Sequence, residues 1–312
     1  MATSGSVDFT VNRNQIIESA LEQISEIAEG QAMTAGHIAT GAKWLNLLVK
    51  QWQGSSDFAQ GMKVWSRKRG YIFLQGSTHQ YSLGSTGGHA TNSYQNTTLS
   101  AAEASGQTVL SVTSTTGMTA ADKIGIQLDD GTLHWTTIVS TGAGPVVTVT
   151  DALAGDASSG ARVFWYTTKL SRPISILYAS LLDTDDNETP LDVLSLQRYE
   201  TLPSKNTDGT PTGVFYEGQL ANGVLYTDSN PTDVTDVIRI VYLSNIEDFD
   251  ALTDTPDYSQ EFNLALVMGL AKYLAPIYGR EFTPTMLTNY NDAVAAARSL
   301  YPETSDLYFQ SA

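Results

Sequence analysis

A wide apolar stripe in residues 34–52 constrains the fold of this chain more than any other feature. The stripe recurs at the α-helical period, and its members are Ile38, Ala42, Leu45, Leu48, Val49 and Trp52. Thr34 can accept the free amide hydrogens of a first helical turn, and Gly54 supplies the backbone freedom that ends a helix. We therefore predict an amphipathic helix, which has to bury its apolar face against a partner.

Three further segments have helical periodicity and can supply that partner. The first covers residues 16–27, begins at Thr10 or Asn12 and ends at Gly30. The other two, at residues 255–274 and 283–300, each open with Thr-Pro, which combines an N-cap with a proline in the first turn. Helices at both ends of the chain predict one helical bundle closed by both termini.

Short β-rich runs fill the middle of the chain. Between residues 97 and 168 they are closely spaced and separated by Gly, Asp and Ser turns, which predicts a compact all-β domain, either a barrel or a sandwich. Residues 71–74 and 81–83 predict a hairpin. Strands between residues 174 and 243 would need this hairpin as a partner, so the all-β domain becomes an insertion.

The predicted fold class is therefore α+β: a helical bundle from the N- and C-terminal helices with a small sheet, plus an inserted all-β barrel or sandwich. Residues 1–96 form the helical hairpin and β-hairpin of the main domain, and residues 97–168 form the insertion. Residues 169–302 complete the main domain, and residues 303–312 are a C-terminal docking tail.

Composition excludes several function classes. The chain has 312 residues, no cysteine and a net charge of −16, so disulfides and thiolate chemistry are excluded and tight binding to a phosphate backbone is disfavoured. We expect no membrane span, because no window approaches the roughly 20 apolar residues that a span needs, and no secretory signal.

Charge is unevenly distributed. Positive residues collect near Lys63, Arg67, Lys68 and Arg69, whereas residues 183–192 and 247–261 are acidic. Most such runs are solvated surface. If two copies of the chain touch, the unlike patches can instead set their register as an inter-subunit contact.

No catalytic or metal-binding pattern is present. Asp129-Asp130-Gly131 is typical of a tight turn, and the four histidines lack the spacing of zinc sites. Asp183 begins a segment like a calcium loop, but Glu188 stands where glycine is needed and Leu194 where the bidentate glutamate is needed. We predict no catalytic residue, no metal and no cofactor.

The order of the motifs resembles the bacteriophage head-to-tail adaptor, or tail accessory factor, family, including packaged-DNA stabilisation proteins. The matching segments are IIESALEQISEI at 16–27, KWLNLLVKQWQ at 43–53, FLQGSTHQYSLG at 73–84, RPISILYA at 172–179, PLDVLSLQRYETLPSKNTDGTPTGVFYE at 190–217 and TPDYSQEFNLALVMGLAKYLAPIYG at 255–279. The inserted segment IGIQLDDGTLHWTTI also looks like modules of such virion proteins.

The resemblance implies a non-enzymatic structural protein at the head–tail junction of a virion, assembled in the host bacterial cytoplasm. In this family a ring, usually of twelve copies, sits below the portal protein and contacts the next tail protein, a nozzle or tail tube. Genomic DNA only passes through its channel. Leu307, Tyr308 and Phe309 would then dock on the portal, although ordinary fraying of a terminus is the alternative.

Two other functions stay open at this stage. One is an outer tail or receptor-binding component that uses the β domain. The less favoured one is a virion cell-wall hydrolase, for which the carboxylates would have to form a pair in a cleft.

Overall fold

The computed structural model describes residues 9–54 and 66–299. The chain divides into two compact units. One unit combines Met1–Ser66 with Asn245–Ala312, and the other is Arg67–Ser244. The predicted domain boundaries remain predictions, and each unit is described by itself.

The first unit is helical in its described residues. Its α-helices are α1 (Arg13–Gln23), α2 (Ala35–Gly54), α4 (Asn263–Ile277) and α5 (Pro284–Ser299), and a 3-10 turn at Gln260–Phe262 precedes α4. The predicted start of α1 at Asn12 is confirmed by a capping box. The Asn12 side chain accepts the Gln15 amide at 3.0 Å, and the Gln15 side chain accepts the Asn12 amide at 2.9 Å.

The helices bury the predicted apolar stripes against one another. Leu45, Leu48, Val49 and Trp52 of α2 are all at most 2 % exposed and share one core with α1, α4 and α5. Burying a large side chain such as Trp52 stabilises the unit by about 2–3 kcal/mol. Periodicity located α2 and α5 to within two residues. The other two predicted helices have wrong bounds. α1 ends at Gln23, because the backbone turns at Ser25 with a φ of +56°, and α4 begins at Asn263 rather than at Thr255-Pro256.

The second unit contains fourteen strands. They are β1 (Arg67–Phe73), β2 (Gln80–Leu83), β3 (Ala90–Thr91), β4 (Gln95–Thr98), β5 (Val109–Ser111), β6 (Lys123–Gln127), β7 (Leu133–Thr141), β8 (Val146–Val149), β9 (Arg162–Tyr166), β10 (Ser175–Leu182), β11 (Glu188–Val193), β12 (Gly213–Glu217), β13 (Gly223–Thr227) and β14 (Val237–Leu243). A five-residue helix, α3 (Leu196–Glu200), lies between β11 and β12.

The strands form two sheets. The eight-stranded sheet has the order β2-β13-β12-β11-β10-β14-β1-β3, and the six-stranded sheet has the order β4-β9-β6-β7-β8-β5. The six-stranded sheet curls towards a barrel, because the end of β4 and the residues that follow it bond the end of β5 and the residues that follow it. The Thr113 amide donates to the Thr98 carbonyl at 2.8 Å and the Ser100 amide to the Ser111 carbonyl at 2.9 Å.

The predicted α+β class, a helical bundle with a small sheet, is wrong. Two large curled sheets dominate the structure, and one of them has eight strands. The error has a physical cause: β1 pairs with β14, which lies more than a hundred residues away along the chain, and such pairing leaves no local periodicity in the sequence.

The predicted hairpin of residues 71–74 and 81–83 is also wrong. Strands β1 and β2 follow each other along the chain but do not pair, because β1 lies between β14 and β3 whereas β2 bonds β13. The turn between them is held by the Tyr81 hydroxyl, which donates to the Thr78 carbonyl at 3.1 Å.

An aromatic cluster joins the two sheets inside the second unit. Along β7 and β9, alternate residues face the core of the barrel, and the others face outward onto the eight-stranded sheet. The cluster consists of Tyr71, Phe73, Tyr94, Leu133, Trp135, Phe164, Tyr166, Val234 and Val237. The Gln75 side chain adds two hydrogen bonds to the Leu133 backbone, at 3.0 and 3.2 Å.

Candidate functional site

The predicted basic patch lies, in its described part, at the start of strand β1. Arg67, Lys68 and Arg69 are the first three residues of the strand, and all three are exposed. Within the described residues, Lys68 and Arg69 form no ion pair. Lys63 lies outside the described residues.

The predicted docking tail cannot be placed in the same way. Leu307, Tyr308 and Phe309 lie outside the described residues. Their role in portal docking stays a prediction.

Strand register adds a fourth cation near the start of β1. Arg67 pairs with Leu243 of β14, and Leu243 pairs with Ser175 of β10. The starts of β1 and β10 therefore lie at the same end of the sheet, and Arg172 precedes β10 by three residues. We call Arg67, Lys68, Arg69 and Arg172 the basic end.

Carboxylates collect at the opposite end of the same strands. Phe73, Val237 and Leu182 are paired there. The acidic residues follow β10 or precede β14, and we call this group the acidic end: Asp183, Asp185, Asp186, Asp233 and Asp236. At about 3.3 Å per residue, β1 separates the two ends by roughly 20 Å.

Burial and neighbouring carboxylates disfavour the charged form of Asp236 at the acidic end. Burial, followed by the charges of Asp233 and Asp183, raises the pKa of Asp236 to about 6. Asp183 differs, because the Asn187 side chain donates to it at 2.9 Å and the amides of Asn187 and Asp185 donate as well, which lowers its pKa. A cationic surface placed against this end would relieve the repulsion at Asp236.

We expect Asp236→Asn to stabilise the protein at pH 8 but much less at pH 4. The pKa of Asp236 is higher in the folded protein than its ordinary value of 3.8, so the folded state binds the proton more tightly, and stability is lost as pH rises from about 4 to about 6. After discounting for solvent screening, the gain at pH 8 is about 1 kcal/mol. Urea unfolding at both pH values measures it.

The exposed Asp185→Asn variant is the control and should show a smaller pH-dependent difference from the wild type. An equal gain for Asp236→Asn at pH 4 and pH 8 would contradict the raised pKa of Asp236.

Exposed apolar side chains lie beside the basic end. Leu177 and Tyr178, 46 % and 40 % exposed, sit in the first half of β10, and Leu177 occupies a β-bulge against β14. Val193 ends the antiparallel neighbour β11, and Leu196 begins α3. Apolar side chains exposed together are typical of interaction surfaces.

The carboxylates at Asp129 and Asp130 have structural roles. Asp130 accepts the Thr132 amide at 2.9 Å, Asp129 accepts the Ser158 amide at 2.9 Å, and Gly131 has a φ of +80°. The predicted tight turn is confirmed.

Within the described ranges there is no group of three or more His, Asp or Glu residues that could hold a metal ion. No helix in the same ranges is long and apolar enough to span a bilayer.

A histidine at the rim of the aromatic cluster was missed by the sequence analysis. His89 stacks on Trp135 with ring centroids 4.0 Å apart, and its Nδ1 lies 2.8 Å from the Tyr166 hydroxyl. Burial, followed by the positive charges of Lys169 and Lys123, lowers the pKa of His89 to about 4. Burial also raises the pKa of Tyr166. The imidazole is therefore neutral at pH 7.

The sequence gives only a weak signal for the arrangement of Lys123 and Lys169 around His89. Lys123 and Lys169 are two of only 17 basic residues in an acidic chain, but nothing in their spacing links them to His89. Strand pairing links both lysines to His89. Lys123 lies opposite Tyr166, and Lys169 forms a β-bridge with Thr91, two residues after His89.

Comparisons with known proteins leave the family open. No protein-family model matches the chain, and no curated protein matches it significantly.

Proposed function

We propose that this protein is a structural, non-enzymatic component of a bacteriophage virion, a head-to-tail adaptor that forms a ring below the portal. The motif order described above suggests this function. The observation that carries it is the separation of charge in the eight-stranded sheet, where the basic end and the acidic end lie at opposite ends of the same strands.

Opposite charges on opposite ends favour contacts between different surfaces of neighbouring copies. Such a heterologous contact repeats around an axis and gives a closed ring when the rotation closes. Lys68 and Arg69 have no ion pair among the described residues, and Asp236 is held against other carboxylates. Both ends thus gain from a neighbour of opposite charge.

The remaining partners follow from the family resemblance. The proposed ring has twelve copies, joins the portal protein to a nozzle or tail tube, and lets genomic DNA pass through its channel without tight binding. Leu307, Tyr308 and Phe309 would dock on the portal, and no membrane is involved. Assembly takes place in the bacterial cytoplasm and the product is located in the virion.

Negative-stain microscopy and mass photometry of the purified full chain test the proposal, with the protein alone and mixed with portal rings of the same phage. We expect rings, or caps that form on the portal. The matched variant Leu307→Ala/Tyr308→Ala/Phe309→Ala should keep self-association and lose portal binding. A chain that stays monomeric with and without the portal would overturn the proposal.

A further inference from the structure

Two lysines in the second unit lack the carboxylate partner that an acidic protein could easily supply. Lys123 and Lys169 are half-buried, and neither forms an ion pair within the described residues. Lys123 donates to the Thr137 hydroxyl at 2.8 Å, and Lys169 donates to the Gly87 carbonyl at 2.6 Å. Because an ammonium group has three N–H donors, each lysine keeps further donors and a full positive charge.

Strand pairing and one hydrogen bond place both lysines next to residues that neighbour His89. Lys123 is the cross-strand partner of Tyr166, whose hydroxyl contacts His89. Lys169 follows Tyr166 by three residues and reaches the carbonyl of Gly87, two residues before His89. Burial and the positive charge of Lys123 also lower the pKa of Lys169.

An anion at this place would offset a repulsion that the fold otherwise has to tolerate. Two lysines supply a charge of +2, which a single carboxylate would only half neutralise, whereas a phosphate group at neutral pH carries nearly that charge and offers several acceptor oxygens. When Tyr166 donates to Nδ1 of His89, the proton of the neutral imidazole sits on Nε2 and adds a third donor.

We propose that Lys123, Lys169 and His89 form a binding site for a phosphate group. The source is either free phosphate or a phosphomonoester, since both present a phosphate group with nearly two negative charges. This inference does not depend on the proposed adaptor function.

Titration of the full chain with inorganic phosphate, followed by calorimetry at pH 7.5 and constant ionic strength, tests the site. We expect Lys123→Gln and Lys169→Gln each to weaken binding by at least about tenfold, because a hydrogen bond to a charged group contributes about 1.5–3 kcal/mol. Lys205→Gln is the matched control, since Lys205 already pairs with Glu200 at 3.0 Å, and it should bind phosphate as the wild type does. The proposal is overturned if phosphate does not bind, or if it binds Lys123→Gln and Lys169→Gln as tightly as the wild type.

A second readout uses the wild-type chain only, so it holds even if a glutamine variant does not fold. Sulfate stays a dianion across the acidic range and can replace phosphate as the probe. We expect NMR titration of His89 to give a pKa at least one unit higher in sulfate than in chloride at equal ionic strength, because a bound dianion offsets Lys123 and Lys169. An unchanged pKa counts against the site.

Phosphoserine, a phosphomonoester, separates the two sources. If it competes with inorganic phosphate in a manner that requires both lysines, the ligand class is a phosphomonoester. If it does not compete while phosphate binds, the ligand is free phosphate.

Discussion

Replacing Phe73 by alanine is expected to lower the free energy of unfolding of the second unit by about 3–5 kcal/mol. Phe73 is 2 % exposed and belongs to β1 of the eight-stranded sheet. Its ring centroid lies 4.9 Å from that of Trp135, 5.2 Å from Phe164 and 5.8 Å from Tyr166, all three on the six-stranded sheet. The substitution therefore leaves a cavity where the two sheets meet, and it removes aromatic pairs worth about 0.5–1.5 kcal/mol each beyond their buried area.

Urea unfolding followed by near-UV circular dichroism measures the loss. The matched control is Phe9→Ala, which deletes the same atoms from a side chain that is 70 % exposed and should change stability by less than about 0.5 kcal/mol. Phe73→Leu should fall between the two. A loss below about 1 kcal/mol for Phe73→Ala would mean that the sheets are held together by contacts other than this cluster.

For the ring proposed above, reversing the charge of the basic end is expected to weaken self-association at least about a hundredfold, since like charges brought together cost several kcal/mol. The variant is Arg67→Glu/Lys68→Glu/Arg69→Glu, whose three side chains are exposed and are not part of a hydrophobic core. Sedimentation velocity or mass photometry over a concentration series gives the association constant. The wild-type constant should fall with added salt because exposed charges are screened.

Two further variants make this result specific. Arg198→Glu/Lys205→Glu also adds negative charge but changes residues that are already paired with Asp192 and Glu200, so self-association should be retained. Asp185→Lys/Asp186→Lys/Asp233→Lys reverses the acidic end and should fail alone, yet form mixed assemblies with the basic-end variant. Wild-type association by the basic-end variant alone would exclude these residues from the interface.

Sequence periodicity predicted the helical segments better than the sheets, although it misplaced the end of α1 and the start of α4. The difference has a physical reason. A helical stripe is contained in fewer than twenty residues, as in α2, where Leu45, Leu48 and Trp52 are buried as predicted. Tight turns such as Asp129-Asp130-Gly131 are equally local. The partner of a strand is set by long-range packing, so the pairing of β1 with β14 and the size of the eight-stranded sheet were not predictable from local pattern.

The same distinction applies to the candidate sites. Arg67, Lys68 and Arg69 are consecutive, so the sequence alone marked them as a basic patch. Their separation from the acidic end depends on strand direction, which only the register gives. His89, Lys123 and Lys169 are far apart in the chain. The fold links them because the Tyr166 hydroxyl contacts His89, Lys123 is the cross-strand partner of Tyr166, and Lys169 donates to the Gly87 carbonyl.

The chain enters and leaves the six-stranded sheet at neighbouring positions, which affects how the coding sequence of this protein could recombine. Gln95, at the start of β4, is the cross-strand partner of Trp165, near the end of β9, so the two crossing points are neighbouring residues about 5 Å apart. A coding segment for residues 95–166 could therefore be exchanged for another module without moving the adjoining strands of the eight-stranded sheet. Any replacement would have to bring its own apolar face to cover Phe73 and Val237, and that requirement limits which modules a recombination event could install.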